Sequence, residues 1–266
     1  MPRKSIAFNR ICNLVPSRET ERDWTFAQLL SSGALAAPKA APASVDLRQA
    51  WWKIGDQGNT GSCVGWAAAD GVMRHALVTA GRLAQGTPLS TRFVWMASKE
   101  TDEFVHTPET FIEESGTSLK AAVDILRKYG AVTDATLPFK VTTLMYQGTV
   151  KDFYADAATR KASAYFNLGK DVNQWKKWLA GGSPILAGLA VDQTFRDATT
   201  TKGKLATFLP NTVAGGHAIA IVGYTAAGDF IIRNSWGTNW GDKGFGYATP
   251  GYIAQAFFAE SYGIRL

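Results

Sequence analysis

Cysteine is scarce in this chain: Cys12 and Cys63 are the only two among 266 residues. A disulfide framework is therefore excluded, and one Cys12–Cys63 bridge is the most that oxidation within the chain can form. If Cys63 serves as a nucleophile it must stay free, and the fold then tolerates a reducing compartment. Histidine is nearly as rare. His75, His106 and His217 form no close pair with one another or with a cysteine, so metal-ligand spacing is absent and neither a metal nor another cofactor is expected. No apolar run reaches the length that spans a bilayer. The start, MPRKSIAFNRICNLVPSRETERDW, is broken by charges before a signal-peptide apolar region can form. Cytoplasmic residence is the default expectation, and delivery by a specialised secretion system is the alternative. The net charge of +6 comes from Lys and Arg interspersed with acids, without a dense basic stripe. Neither nucleic acid nor a membrane surface is thus an expected partner, and nothing demands more than a monomer.

The chain does have apolar material: 46% hydrophobic against 19% charged residues, enough for a globular core in one large domain or two lobes. Residues 1–43 stand apart, polar and charged and then Ala/Pro-rich, with LLSSGALAAPKAAPAS reading as a flexible linker. The folded body begins near Ser44. CVGWAAADGVMRHALVT, from Cys63 to Thr79, is small and apolar at helical spacing, with Ser62 placed as its N-cap. SLKAAVDILRKYG predicts a second helix that stops at Gly130. Residues 141–170 show no clear pattern. VNQWKKWLAGG predicts a short helix with Trp175 and Trp178 on one face. Then SPILAGLAVD, HAIAIVGYT, DFIIRNS and GFGYATP read as strands punctuated by Gly and Pro. The front of the body, about 44–140, is helical and the back, about 141–266, is β, which gives an α+β fold with segregated elements.

Four residues supply the parts of nucleophilic thiol chemistry in the order Gln57, Cys63, His217, Asn234. Cys63 lies at a helix start, where the helix dipole and a nearby imidazolium favour a thiolate. His217 opens the strand HAIAIVGY and Asn234 ends DFIIRN. A short turn between them makes the two neighbours in an antiparallel hairpin. The Asn side-chain oxygen can then accept an imidazole N–H and fix the ring, and Trp236 can shield that bond from water. Gln57, in a Gly-rich turn, can donate to an oxyanion beside the Cys63 N–H.

ASVDLR, DQGNTGSC, SLKAAVDILRKYGAVTDATLPF, GGHAIAIVGY and RNSWGTNWGDKGFGY together resemble the papain-like cysteine peptidases over roughly residues 44–262. The resemblance implies a helical lobe and a β-barrel-like lobe with the active site in the cleft between them. It implies Cys63 as nucleophile, His217 as general base and acid, Asn234 as orienter and Gln57 in the oxyanion hole. Gly116 and Thr117 correspond to the stretch that hydrogen-bonds the substrate backbone. Ser118, Leu119, Gly188, Gly215 and Ala218 line the pocket for the residue two before the scissile bond, beside Gly216 and Trp236. These small or apolar side chains imply acceptance of bulky hydrophobic residues. The chain departs from the family's C-G-S-C-W pattern at Thr60 and Val64; the missing half-cystine fits a bacterial or intracellular branch without the usual disulfides. A peptide or protein substrate is the implied partner. Acyl transfer or deamidation by the same residues, or a non-catalytic peptide-binding module, are the alternatives. Residues 1–43 are expected to be a short pro-segment whose Trp24 or Phe26 covers the cleft, an export or docking tail, or a packed or disordered tail.

Overall fold

The computed structural model describes residues 10–33, 40–101, 114–140 and 149–266. His106 and part of the expected Ala/Pro linker lie outside the described residues. After a short helix α1 (Phe26–Ser31) and strand β1 (Val45–Asp46), the helix predicted from Cys63 forms as α2 (Cys63–Gly65). It continues through a π-helical run over Trp66–Met73 into α3 (Arg74–Thr79). Ser62 precedes it, but its hydroxyl pairs with the Thr60 hydroxyl at 2.6 Å instead of capping the helix.

The small residues of this helix are there for close approach. A Cβ at Gly65 would strike the Thr91 carbonyl, and one at Gly71 would stand 2.8 Å from the Ala220 methyl. Gly65 thus admits α4 (Thr91–Thr101), an element the sequence reading passed over although Ser90 caps its first turn through a 3.0 Å bond from Phe93 N–H. The predicted second helix, α5 (Leu119–Lys128), has Ser118 as its N-cap, accepting from Ala121 N–H. It ends where Gly130 takes φ +93° and donates back to the Ile125 carbonyl.

Helix α6 (Val150–Ala158) packs Phe153 edge-on against Phe93 of α4, so this stretch adds to the helical core. The remaining strands are β2 (Ala164–Asn167), β3 (Ile185–Val191), β4 (Lys204–Leu205), β5 (Gly215–Tyr224), β6 (Phe230–Arg233), β7 (Phe245–Ala248) and β8 (Phe257–Arg265). Helix α7 (Val172–Ala180) buries both Trp175 and Trp178.

The sheet runs β2-β8-β3-β5-β6-β7-β4, with β1 paired to the far end of β5, and its path does not close on itself. The barrel-like form expected for the β half is therefore an open mixed sheet, antiparallel except where β4 meets β7. Strand alternation divides the core in two. On β5, Ala218, Ala220 and Val222 face the helical lobe, while Ile219 and Ile221 face a second cluster built with Trp175, Trp178 and Tyr252. Both faces of β5 are covered, which explains its near-continuous apolar run. No helix among the described residues is long and apolar enough to cross a membrane.

Candidate active site

The thiol, the imidazole and the carboxamide arrive on separate elements and meet where the helical lobe abuts β5. Cys63 begins α2 and is fully buried; its sulfur is approached by the backbone amide of Ala218, the residue after His217. The thiol thereby stands against β5 one position past His217, although the chain keeps the two residues far apart. The β5–β6 hairpin pairs Ala220 with Arg233 and closes through Thr225 and Asp229. This register brings His217 at the strand start beside Asn234 just past the strand end.

The two side chains meet at 2.8 Å, His217 Nε2 to Asn234 Oδ1. That oxygen also accepts from the Ser235 amide at 2.8 Å, which holds the carboxamide in one orientation. His217 Nδ1 is buried with no hydrogen-bond partner among the described residues, so the ring's second nitrogen is uncommitted. The Trp236 ring covers the pair, its centroid 4.8 Å from the imidazole, and Phe195 stands edge-on at 5.9 Å. Gln57 is also fully buried. Its Nε2 donates to the Thr60 carbonyl at 2.9 Å and its Oε1 accepts the Ser235 hydroxyl at 2.8 Å, which leaves one amide N–H for another acceptor.

A buried ion triad braces this arrangement. Asp70, on the Cys63 helix, takes Arg74 at 2.8 Å and Arg233 at 2.6 Å, and Arg233 directly precedes Asn234. Removing one member of such a group leaves an uncompensated buried charge. The link between helix and strand was not legible in the sequence, because no spacing marks it.

The groove beside Cys63 is filled by the chain itself. A Cβ at Gly215 would collide with the Cys12 carbonyl, and one at Gly116 would collide with the Asn13 carbonyl. The Asn13 side-chain amide donates to the Glu114 carbonyl. Leu14 N–H donates to the Gly216 carbonyl at 3.0 Å, and Val15 N–H to the Thr117 carbonyl at 3.2 Å. The Leu14 side chain is 5% exposed and lies against Gly188, where a methyl would stand 2.7 Å from Leu14 Cδ2. Arg10 pairs with Asp56 and reaches the Gly58 carbonyl at 2.8 Å and the Trp236 carbonyl at 3.3 Å.

Of the residues expected to bind substrate, Gly116, Thr117, Gly188, Gly215 and Gly216 therefore contact residues 12–15. Ser118 and Leu119 are occupied in starting α5, and Ala218 belongs to the core. The expectation that Trp24 or Phe26 covers the cleft is corrected: Trp24 is 67% exposed, and Phe26 is buried edge-on against Trp178. The signal in the sequence is Ile11-Cys12-Asn13-Leu14-Val15, a run without charge inside a charged stretch, able to lie extended.

Downstream, the segment is pinned to the body. Glu260 accepts from Ser17 N–H and Oγ–H at 3.1 and 2.6 Å, Asp23 pairs with Lys120 at 2.8 Å, and Tyr262 Oη lies within 2.9 Å of both carboxylates.

Burial sets the protonation states of the site. Desolvation pushes the Cys63 thiol up to about 11, although backbone amides of Ala218, Val64 and Cys63 itself pull the other way. Desolvation also pushes His217 down to about 4 against the opposing Asn234 hydrogen bond. With the groove filled, both groups are neutral near pH 7. His75 is likewise pushed down to about 4, chiefly by burial.

A histidine depressed in the native state binds its proton more tightly when unfolded. The stability from its neutral burial is complete above about pH 6.5 and is lost as pH falls toward 4. Glu260, raised mainly by burial, acts in the opposite sense and makes the fall shallower. Thermal unfolding followed from pH 7 to pH 4 should show a falling midpoint across that window. A flat profile would contradict neutral burial of the two imidazoles.

Residues 41–257 match the family described as papain family cysteine protease. The chain belongs to that family. An uncharacterised peptidase C1-like protein of Acanthamoeba polyphaga mimivirus is 25% identical over 233 residues, covering 83% of this chain and 71% of the relative. Cathepsin J of Mus musculus is 28% identical over 205 residues, covering 72% of this chain and 55% of the relative. The match to cathepsin B-like CP2 of Giardia intestinalis spans 42% of that protein and 45% of this chain, at 29% identity.

Among solved structures, xylellain, a cysteine protease from Xylella fastidiosa, superposes with a TM-score of 0.76 at 22% identity. The alignment covers 97% of this chain and 96% of that one. Procathepsin B of Trypanosoma congolense superposes at 0.70 and 18% identity, covering 96% and 85%. At these identities the solved structures establish the fold: a papain-like α+β architecture of helical lobe and sheet.

Proposed function

We propose that this papain-family protein hydrolyses peptide bonds through a Cys63 acyl-enzyme and that its own N-terminal segment holds it latent. The observation that carries the reading is the buried His217–Asn234 bond, with the second imidazole nitrogen uncommitted at the locus of the Cys63 thiol. Cys63 attacks the peptide carbonyl after proton transfer to His217. The oxyanion is met by the Cys63 amide and the remaining N–H of Gln57. His217 returns the proton to the leaving amine, and a water deprotonated by the same ring releases the acid. Asn234 keeps the ring in the required tautomer and orientation throughout.

The pocket at Gly188 and Gly216 supports a preference for hydrophobic residues two before the scissile bond, since Leu14 fills it. A groove that takes a continuous segment, from Arg10 at Asp56, Gly58 and Trp236 to Val15 at Thr117, supports cleavage within a chain, as by an endopeptidase. Gln57→Ala tests the assignment of the oxyanion donor. It should lower kcat by about 10²–10³-fold on a fluorogenic leucine-containing peptide in reductant while leaving KM within severalfold. An unchanged kcat would remove Gln57 from the mechanism.

A further inference from the structure

The chain's two cysteines, the only pair that could bridge, both stand at this groove. Cys12 lies on the segment that fills it, its carbonyl packed on Gly215 and its Cβ in reach of that residue, two positions before His217. Cys63 has its sulfur at the Ala218 amide, one position after His217. The flanking contacts hold Cys12 from both sides: Arg10 on the Asp56, Gly58 and Trp236 side, and Leu14 on the Gly216 carbonyl. The Cys12 side chain is partly buried against apolar residues, and among the described residues its Sγ makes a long contact, 3.9 Å, to the Arg10 carbonyl. Cys63 stands near enough to oppose ionisation of the Cys12 thiol, which burial chiefly pushes up to about 12. Both are free.

We propose that Cys12 is the resolving partner of Cys63, and that oxidation by a peroxide joins the two in a disulfide that locks the N-terminal segment covalently into the groove. The inference rests on the reading of Cys63 as the groove's nucleophilic thiol.

The steps balance with hydrogen peroxide as the two-electron oxidant. When the segment lifts and water reaches Cys63, its thiolate attacks one peroxide oxygen. The O–O bond breaks, hydroxide leaves, and Cys63 becomes a sulfenic acid. As the segment settles back, the Cys12 sulfur attacks the sulfenic sulfur. The S–S bond forms, the S–O bond breaks, and the hydroxyl leaves as water with the Cys12 proton. A thiol reductant reverses the bond by exchange, returning both cysteines to thiols. The docked segment thus has two grades of hold: reversible packing through Leu14 when reduced, and a covalent tie when oxidised. The tie also keeps the sulfenic acid from climbing to the irreversible sulfinic and sulfonic states.

The test uses the full chain, reduced and freed of reductant, then exposed to a few equivalents of hydrogen peroxide. Intact mass should fall by two hydrogens, and a peptide map without reduction should contain one species linking the Cys12 and Cys63 peptides. Dithiothreitol should then restore most of the peptidase activity present before oxidation. In Cys12→Ser the same exposure should instead add oxygens to Cys63, and reductant should restore less than about a tenth of that variant's starting activity. Absence of the linked peptide from the oxidised wild type overturns the proposal, as does equal recovery of the two proteins. The cross-link is read by mass and needs no turnover. A protein that cross-links but never cleaves peptides would refute the hydrolytic reading alone.

Discussion

Replacing Leu14 with aspartate should raise the rate of peptide hydrolysis by about ten- to a hundredfold. Leu14 is the one buried side chain of residues 12–15, and it packs between Gly188 and the Gly216 backbone. Burying a leucine stabilises by about 1.5–3 kcal/mol. Aspartate forfeits that contribution and places a charge against the apolar cluster that Leu14 joins. Each 1.4 kcal/mol moves the open fraction tenfold, which sets the size of the effect. Arg10 and Val15 retain their contacts, so the segment is loosened and not removed.

The alternative of deleting everything before Ala43 is less informative. It strips Phe26 from Trp178 and Asp23 from Lys120 and Tyr262, and so alters the body as well. Initial rates on an unstructured peptide, measured at equal protein concentration in reductant, check the expectation. A rate no greater than that of the unaltered chain would show that residues 12–15 do not limit access to the groove.

Cys63→Ala should reduce turnover by about 10⁶-fold, to the level of the background reaction, by analogy with loss of the nucleophile in a hydrolase triad. Alanine keeps the helix start and occupies less volume, and among the described residues the native thiol's polar contacts are backbone amides. The variant should therefore fold, and its unfolding midpoint separates lost chemistry from lost structure. Peptide cleavage by Cys63→Ala within tenfold of wild type would eliminate the thiol as nucleophile.

Much of this site could be read from the sequence because local geometry does the work. The His217–Asn234 contact follows from a hairpin whose two strands are apolar runs joined by a short turn. Gly130 marks the end of α5 by residue type alone. The small residues of the Cys63 helix already signalled close packing, and the structure supplies the partners, Thr91 at Gly65 and Ala220 at Gly71. The harder features involve contacts with no period or spacing. Asp70 and Arg233 pair across 163 positions. The groove-filling segment is held mainly through backbone bonds to Gly216 and Thr117, which side-chain identity does not announce. Trp24 and Phe26 drew attention as large aromatics, yet Phe26 completes the core on the sheet's far face, and Leu14, small and inconspicuous, enters the groove. The open sheet likewise depends on which edges remain unpaired, a property of long-range pairing that strand patterns alone leave undetermined.

The most direct measurement is the intact mass of the Leu14→Asp chain quenched in acid during turnover of a leucine-containing peptide ester. Covalent chemistry at Cys63 predicts a fraction of protein heavier by the acyl fragment, mapped to the Cys63 peptide and absent from the same chain carrying Cys63→Ala. Hydrolysis that proceeds at full rate with no acyl group on Cys63, or with Cys63→Ala in place, would contradict it.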